Sequence, residues 1–225
     1  GDFENLGASY IRSWIVFFIE KGLKNRSVNR KLASLRSFYK WLMKEEIVYS
    51  SPMSKVNGPK SEKHLPQFVQ ESELDLSKLE KLFSNDFEGK RDALMFELFY
   101  QTGIRLSELI GLRLEDLQPA NIKVLGKRNK ERIIPISNKL YIQAQEYLTL
   151  RQEQGPDSAH LLILDSGKKL YPAFAYRKIN SYLGNITTLD KRSPHVLRHT
   201  FATHMLNRGT GPVSYTHLTL PTKRI

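Results

Sequence analysis

The 225-residue chain contains no cysteine. That excludes a disulfide framework, a thiolate nucleophile and a cysteine-based zinc site, and it suits the cytosol. No apolar run reaches the roughly 20 residues that a membrane-spanning helix needs. The richest stretch, Trp14 to Ile19, reads as a core helix. The first residues, GDFENLG, lack a basic segment followed by an apolar one, so no secretory signal is read there. No Met opens the chain, which leads us to expect further residues ahead of Gly1. Carboxylates are scarce: 23 Asp and Glu stand against 35 Lys and Arg, a net charge of +12. That balance points to a polyanionic partner, set against the plainer alternative of a solvated basic surface. Forty per cent hydrophobic and ten per cent aromatic residues exclude a disordered chain. The length allows one large or two modest domains.

The lack of carboxylates is sharpest from Lys21 to Lys44, which holds eight Lys or Arg and no Asp or Glu. A helix is predicted over 9–21, with Ile11, Trp14, Ile15 and Phe18 on one face and Ser9 as a cap. A second runs from about 28 to 44, capped by Ser27. Val28, Leu32, Leu35, Tyr39 and Leu42 line its apolar face, and Arg30, Lys31, Arg36, Lys40 and Lys44 its basic face. Such a face is either solvated surface or a contact for a nucleic-acid backbone. Arg26, Arg30, Lys31, Arg36 and Lys40 are the candidates there. Residues 51–67 are rich in proline and lysine and read as a linker between a helical unit at 1–50 and a larger unit at 68–210.

In the larger unit helical patterns occupy 71–84, 90–101 and 106–112, with Thr102-Gly103 as a stop. NIKVLG and ERIIPIS, separated by KRNK, predict a β-hairpin. A helix over 139–153 follows, then LLILDS as a further strand, then helices over 172–184 and 194–208. The last is bounded by Ser193, Pro194 and Gly209. The expected fold is mostly α with one small antiparallel β-sheet.

Four basic groups sit in distinctive settings. Arg105 lies in TGIRLSEL, at a tight junction between helices, and Glu108 three residues on could hold its guanidinium or another basic group. Lys127 lies at the hairpin tip beside Arg128 and Lys130, where a flexible amine can deliver a proton to a leaving oxygen. His195 and Arg198, in SPHVLRH, share a face near a helix start whose free N–H groups add to the pull on an anion. His199 and His204 read as packing residues. Alone, each piece has an ordinary reading: an amphipathic helix surface, a surface carboxylate, a solvated turn. Together they are equipment for stabilising a crowded phosphate.

Taken jointly, TGIRLSELIGLRLEDL, GKRNKERIIPI and HVLRHTFATHMLNRG resemble, in order and spacing, the first arginine box, the hairpin lysine segment and the second box of the tyrosine recombinases (phage-integrase family), most closely the Xer type. RSVNRKLASLRSFYKWL and the linker resemble the end of that family's helical core-binding, SAM-like domain. The resemblance covers roughly residues 9–210. It implies a core-binding domain joined to a catalytic domain, with the two closing around double-stranded DNA in homo- or hetero-tetramers. It implies strand cleavage by tyrosine attack on phosphorus, a 3′-phosphotyrosyl link, a freed 5′-hydroxyl and rejoining, with no metal or other cofactor and no membrane. Arg105 and Arg198 would bind the non-bridging oxygens, Lys127 would protonate the 5′-oxygen, and His195 would assist the phosphate and the attacking hydroxyl.

The family's tyrosine lies well beyond the second-box arginine, after a helix and a further His or Trp. Here Tyr215 follows Arg198 by only 17 residues, with Gly211-Pro212 breaking any helix that would carry it. Residues 211–225 therefore read as a tail foreign to the family, no nucleophile is assigned, and the chain is expected not to cleave. The rival reading is a DNA-binding fragment that occupies recombination sites without cutting. A helix-turn-helix regulator does not account for the spaced Arg, Lys, His and Arg set. Type IB topoisomerases share much of that set but fit the basic helical first unit less well.

Overall fold

The computed structural model describes residues 6–61, 67–74, 81–126, 130–155, 158–207 and 209. The chain divides into two units, residues 1–65 and 66–225.

The first unit is built on α1 (Ala8–Glu20) and α2 (Asn25–Lys44). Ile11 and Ile15 of α1 meet Val28, Leu32, Tyr39 and Leu42 of α2 in one buried cluster, as the 3.6-residue period requires. Trp14 and Phe18 pack edge to face at the rim of that cluster, with centroids 4.7 Å apart. The caps differ from expectation: Gly7 and Lys24, not Ser9 and Ser27, precede the two helices. The segment after α2 is linker-like in composition, yet its first part is packed. A 3₁₀ turn at Pro52–Lys55 opens on Ser51, whose Oγ accepts from the Met53 N–H, and Met53 and Val56 join the core. The Arg36 guanidinium donates to the Val56 carbonyl at 2.9 Å, and Asn29 Nδ2 donates to the Pro59 carbonyl at 2.8 Å. Two buried apolar side chains and these backbone anchors outweigh the signal of the prolines.

In the second unit α3 (Phe87–Thr102) is central. Phe87, Leu94, Met95, Phe96, Leu98 and Phe99 are all buried, so the helix is apolar on most of its circumference. It packs against α5 (Asn138–Glu153) and α7 (Pro194–Asn207), with α6 (Pro172–Ile186) beside them. Asp86 caps α3 by accepting the Gly89 N–H at 2.8 Å, so the helix begins ahead of the expected residue 90. Its end is Gly103, in left-handed backbone at φ 57°, and the short α4 (Leu106–Gly111) starts at once.

The sheet has three antiparallel strands in the order β1-β2-β3: Leu117–Gln118, Asn121–Leu125 and Glu131–Pro135. The predicted hairpin is β2–β3, with Ile122 opposite Ile134 and Val124 opposite Arg132. LLILDS is not a strand. It makes only an isolated bridge, Ile163 with Lys169, and its backbone is held piecemeal. The Leu161 N–H donates to the Leu112 carbonyl, and the Ile163 N–H to the Tyr147 hydroxyl. The helix expected over 71–84 is turn at 71–73 and again at 81–82, and 75–80 lie outside the described residues.

One charged network is buried in this unit. Arg91 and Asp92 are fully buried. Arg91 Nε donates to Asp92 Oδ1 at 2.9 Å and its Nη1 to Asp165 at 2.6 Å. The guanidinium lies over the rings of Phe87 and Phe174. Asp92 Oδ2 also accepts from the Tyr182 hydroxyl at 2.8 Å and pairs with Lys178 at 3.0 Å. No helix among the described residues is long and apolar enough to cross a membrane.

Candidate active site

Arg105 is the residue that opens α4, and Glu108 is one turn on. The Glu108 carboxylate accepts the Arg105 backbone N–H on Oε2 at 2.8 Å and the Arg105 Nη1 on Oε1 at 2.8 Å. Of the two partners the sequence allowed Glu108, Arg105 or another basic group, it takes both. Arg132 of β3 donates Nη1 to Oε1 at 3.0 Å and Nη2 to Oε2 at 2.8 Å. Burial alone would push the Glu108 pKa up. The Arg132 bonds, followed by the backbone and side chain of Arg105, more than reverse this and bring it to about 2. Arg105 keeps 45% of its side chain exposed, whereas Glu108 keeps 4%. Arg105, Ser107, Glu108, Leu125 and Gly126 line a cavity of ≈ 420 Å³.

Arg198, on α7, is buried and donates Nη1 to the carbonyl oxygen of Gly103, two residues before Arg105. Burial, then the positive charge of Arg105, lowers its pKa to about 10, with Glu108 opposing. It therefore stays a cation at neutral pH. His195, one turn earlier on α7, faces His199: their Nε2 atoms are 3.0 Å apart and the rings meet edge to face. Burial and then Arg198 lower the His195 pKa, and burial, His195 and Arg198 lower that of His199. His204 packs, donating from Nε2 to the Val69 carbonyl and pairing through Nδ1 with the Tyr100 hydroxyl. The N-terminal N–H groups of α7 are less available than expected, because those of Val196 and Leu197 already bond the Ser193 carbonyl.

The structure thus brings Arg105, Glu108, His195 and Arg198 into one electrostatic neighbourhood, tied by the Arg198–Gly103 bond across 95 residues. Lys127, Arg128 and Tyr215 lie outside the described residues. Lys130 is exposed at the foot of the hairpin, where its carbonyl accepts the Gly126 N–H at 2.8 Å. Such an arrangement offers a buried and a half-exposed guanidinium to an anion, with an imidazole pair beside them. A larger cavity of ≈ 550 Å³, between α3 and α5, contains none of these groups.

The first unit carries the basic helix face. Arg26, Arg30, Lys31, Arg36 and Lys40 are all exposed. At 100° per residue, Arg26, Arg30, Arg36 and Lys40 fall within an arc of about 120°. Lys31 does not share that arc. It sits on the other flank of the apolar face, with Nζ 4.9 Å from the centre of the Phe18 ring.

Two residues escaped the sequence reading. His199 reads from the sequence as a packing or partly buried group, although its spacing of four from His195 puts the rings on one face. Arg132 had a clearer signal. It lies two residues before the buried Ile134 and so on the inward side of β3, where a charge requires a partner.

Comparison with known proteins gives a consistent picture. The chain matches the phage integrase family over residues 70–214 and the phage integrase N-terminal SAM-like domain over residues 1–46. It is 34% identical to the tyrosine recombinase XerC of Chlorobaculum parvum, over 92% of this chain and 68% of that protein. It is 38% identical to XerC of Staphylococcus carnosus, over 88% of this chain and 68% of that one. Among solved structures, the XerH site-specific recombinase bound to palindromic difH superposes with a TM-score of 0.80 at 19% identity, over 94% of this chain and 65% of that one. The XerA recombinase superposes at 0.57 and 22% identity, over 94% and 73%. The chain spans about two thirds of the length of most of these relatives.

Proposed function

The chain belongs to the phage integrase family, and from that premise we propose that it acts on double-stranded DNA in site-specific recombination, by strand breakage and rejoining through a phosphotyrosine link. The observation that carries this is the buried Arg198 held beside the Arg105 junction. Two guanidinium groups of like charge are kept together beside one buried carboxylate, with the Arg198 pKa lowered by burial and then by Arg105, an arrangement suited to holding a further anion. Arg105 and Arg198 hold the non-bridging oxygens as negative charge builds on them. Lys127 gives its proton to the departing 5′-oxygen. His195, neutral at pH 7 and backed by His199, takes the proton of the attacking hydroxyl. The basic face of α2 grips the phosphate backbone. Subunits work as tetramers, in the cytosol.

Tyr215 is not the nucleophile in this reading, and none is assigned among the 225 residues. A second reading follows: the chain occupies recombination sites without cutting. It is favoured by the sequence setting of Tyr215, only 17 residues past Arg198 and preceded by Gly211-Pro212. The two are separated by selecting bound duplexes from a randomised pool, nicking them to trap intermediates, and looking for a denaturant-resistant protein–DNA adduct. Binding without adduct supports the second. An adduct lost in Tyr215→Phe makes Tyr215 the attacker and overturns its exclusion. No binding to any duplex sinks both.

A further inference from the structure

We propose that Arg132 is a positioning residue for the phosphate site, holding Glu108 so that Arg105 remains available to the anion. The inference rests on the reading of Arg105 as a phosphate ligand. A carboxylate offers about four lone-pair sites. Those of Glu108 are all used: Oε1 by Arg105 Nη1 and Arg132 Nη1, Oε2 by the Arg105 backbone N–H and Arg132 Nη2. Arg132 makes the two-pronged pair, and Arg105 is left with one side-chain bond to this partner. Arg105 borders the cavity and keeps 45% of its side chain exposed.

Remove Arg132 and two acceptor sites on a buried carboxylate fall empty. The nearest arginine fork is that of Arg105, three residues away on the same turn. A bidentate Arg105–Glu108 pair would satisfy Glu108 and consume the prongs needed for the anion. Lysine could not replace Arg132 fully, because an ammonium is a point charge without the matching planar fork.

The same bridge ties down the hairpin. Arg132 pairs across the sheet with Val124. A Cβ added at Gly126 would stand 3.1 Å from Arg132 Nη1 and 3.7 Å from Glu108 Oε1, so the strand end lies directly on the ion pair. Gly126 is the residue immediately before Lys127. Arg132 therefore connects the strand end just before Lys127 to the arginine that opens α4.

The test uses the full chain, Arg132→Met and Arg132→Lys, with inorganic phosphate as the probe. Three signals are read by NMR: the Glu108 carboxyl titration, the Arg105 guanidinium nitrogens, and phosphate affinity. In Arg132→Met the Glu108 midpoint should rise and both Arg105 Nη groups should become held. Phosphate affinity should fall about tenfold, the worth of one charge-assisted hydrogen bond. Arg132→Lys should fall between, which keeps the test open if the Met variant fails to fold. A purely structural role would lower the melting temperature and leave Arg105 and phosphate affinity as they were, and that result overturns the proposal. If instead Arg105→Ala and Arg198→Ala bind phosphate as well as the unaltered chain, the underlying phosphate-site reading has failed. The Arg105 nitrogens would still report, separately, whether Arg132 sets their bonding.

Discussion

Arg198 donates through Nη1 to the carbonyl oxygen of Gly103, 95 residues earlier in the chain. The turn that ends α3 in left-handed backbone is thus also the acceptor for the buried guanidinium. The helix stop and the anchor of Arg198 are one piece of backbone, and a change at Gly103 acts on both.

Gly103→Ala places a Cβ at φ 57°. The expected cost is about 1–2 kcal/mol, read as a lower urea midpoint. Gly103→Asn should cost less, since asparagine visits this region more readily. An unchanged midpoint in the Ala variant would mean that the turn relaxes to another conformation.

Glu108 has a pH signature. Its pKa falls from the ordinary 4.5 to about 2 on folding. A depressed carboxylate stabilises the fold above its unfolded pKa, and that contribution fades as pH falls from about 4.5 towards 2. The full contribution is about 3 kcal/mol at one pKa unit per 1.4 kcal/mol. Glu108→Gln should therefore be less stable at neutral pH, and the gap to the unaltered chain should close on acidification through that window. A gap that stays constant with pH would show that the charge of Glu108 contributes nothing.

The imidazole pair titrates low. The His195 pKa is depressed by burial and then by Arg198, and that of His199 by burial and then by His195 and Arg198. Both should titrate below 6.5 by NMR. His195→Asn should raise the His199 midpoint by removing a neighbouring charge. Stability drawn from these groups is complete above 6.5 and lost as pH falls below it, because the unfolded chain protonates first.

Arg91→Met leaves the Asp92 carboxylate buried with Lys178 and Tyr182 as its remaining partners among the described residues. Breaking such a pair costs about 3–5 kcal/mol. Denaturant unfolding of this variant should show the largest loss of those described here.

For the first unit, replacing Arg26, Arg30 and Lys40 together by Ala should flatten the slope of log affinity against log salt by about 2 to 3 on a mixed-sequence duplex. Lys31→Ala, on the other flank over Phe18, should leave the slope nearly unchanged. Equal effects from both variants would mean that the duplex does not follow one arc of α2.

The elements legible in the sequence were those with a repeating signal. α1 and α2 follow from apolar residues at three- and four-residue spacing, and β2 and β3 from alternation on both sides of KRNK. The stop at Gly103 and the start at Pro194 follow from backbone chemistry. Less legible was whatever depends on a distant partner. LLILDS has the composition of a strand, but the Leu161 and Ile163 N–H groups go to Leu112 and to the Tyr147 hydroxyl, both distant in sequence, while Leu164 closes a local turn with Lys168. Ser51 to Lys60 looks like a linker until Met53 and Val56 find the first core. Arg105, Glu108, His195 and Arg198 stand out in the sequence by their settings, and the structure places them as neighbours. The role of Arg132 required knowing that β3 turns it towards α4.

The alternation of β3 gives the Glu108 bridge one more consequence. Successive strand residues point to opposite sides, so a slip of β3 by one residue against β2 would turn Arg132 outward and present Ile133 in its place. Glu108 would then be a buried carboxylate short of two donors, at a cost of several kcal/mol. Hydrophobic pairing discriminates poorly between neighbouring registers rich in isoleucine, and a charge in the inward row discriminates sharply. The ion pair therefore favours the native alignment of the hairpin over this one-residue slip.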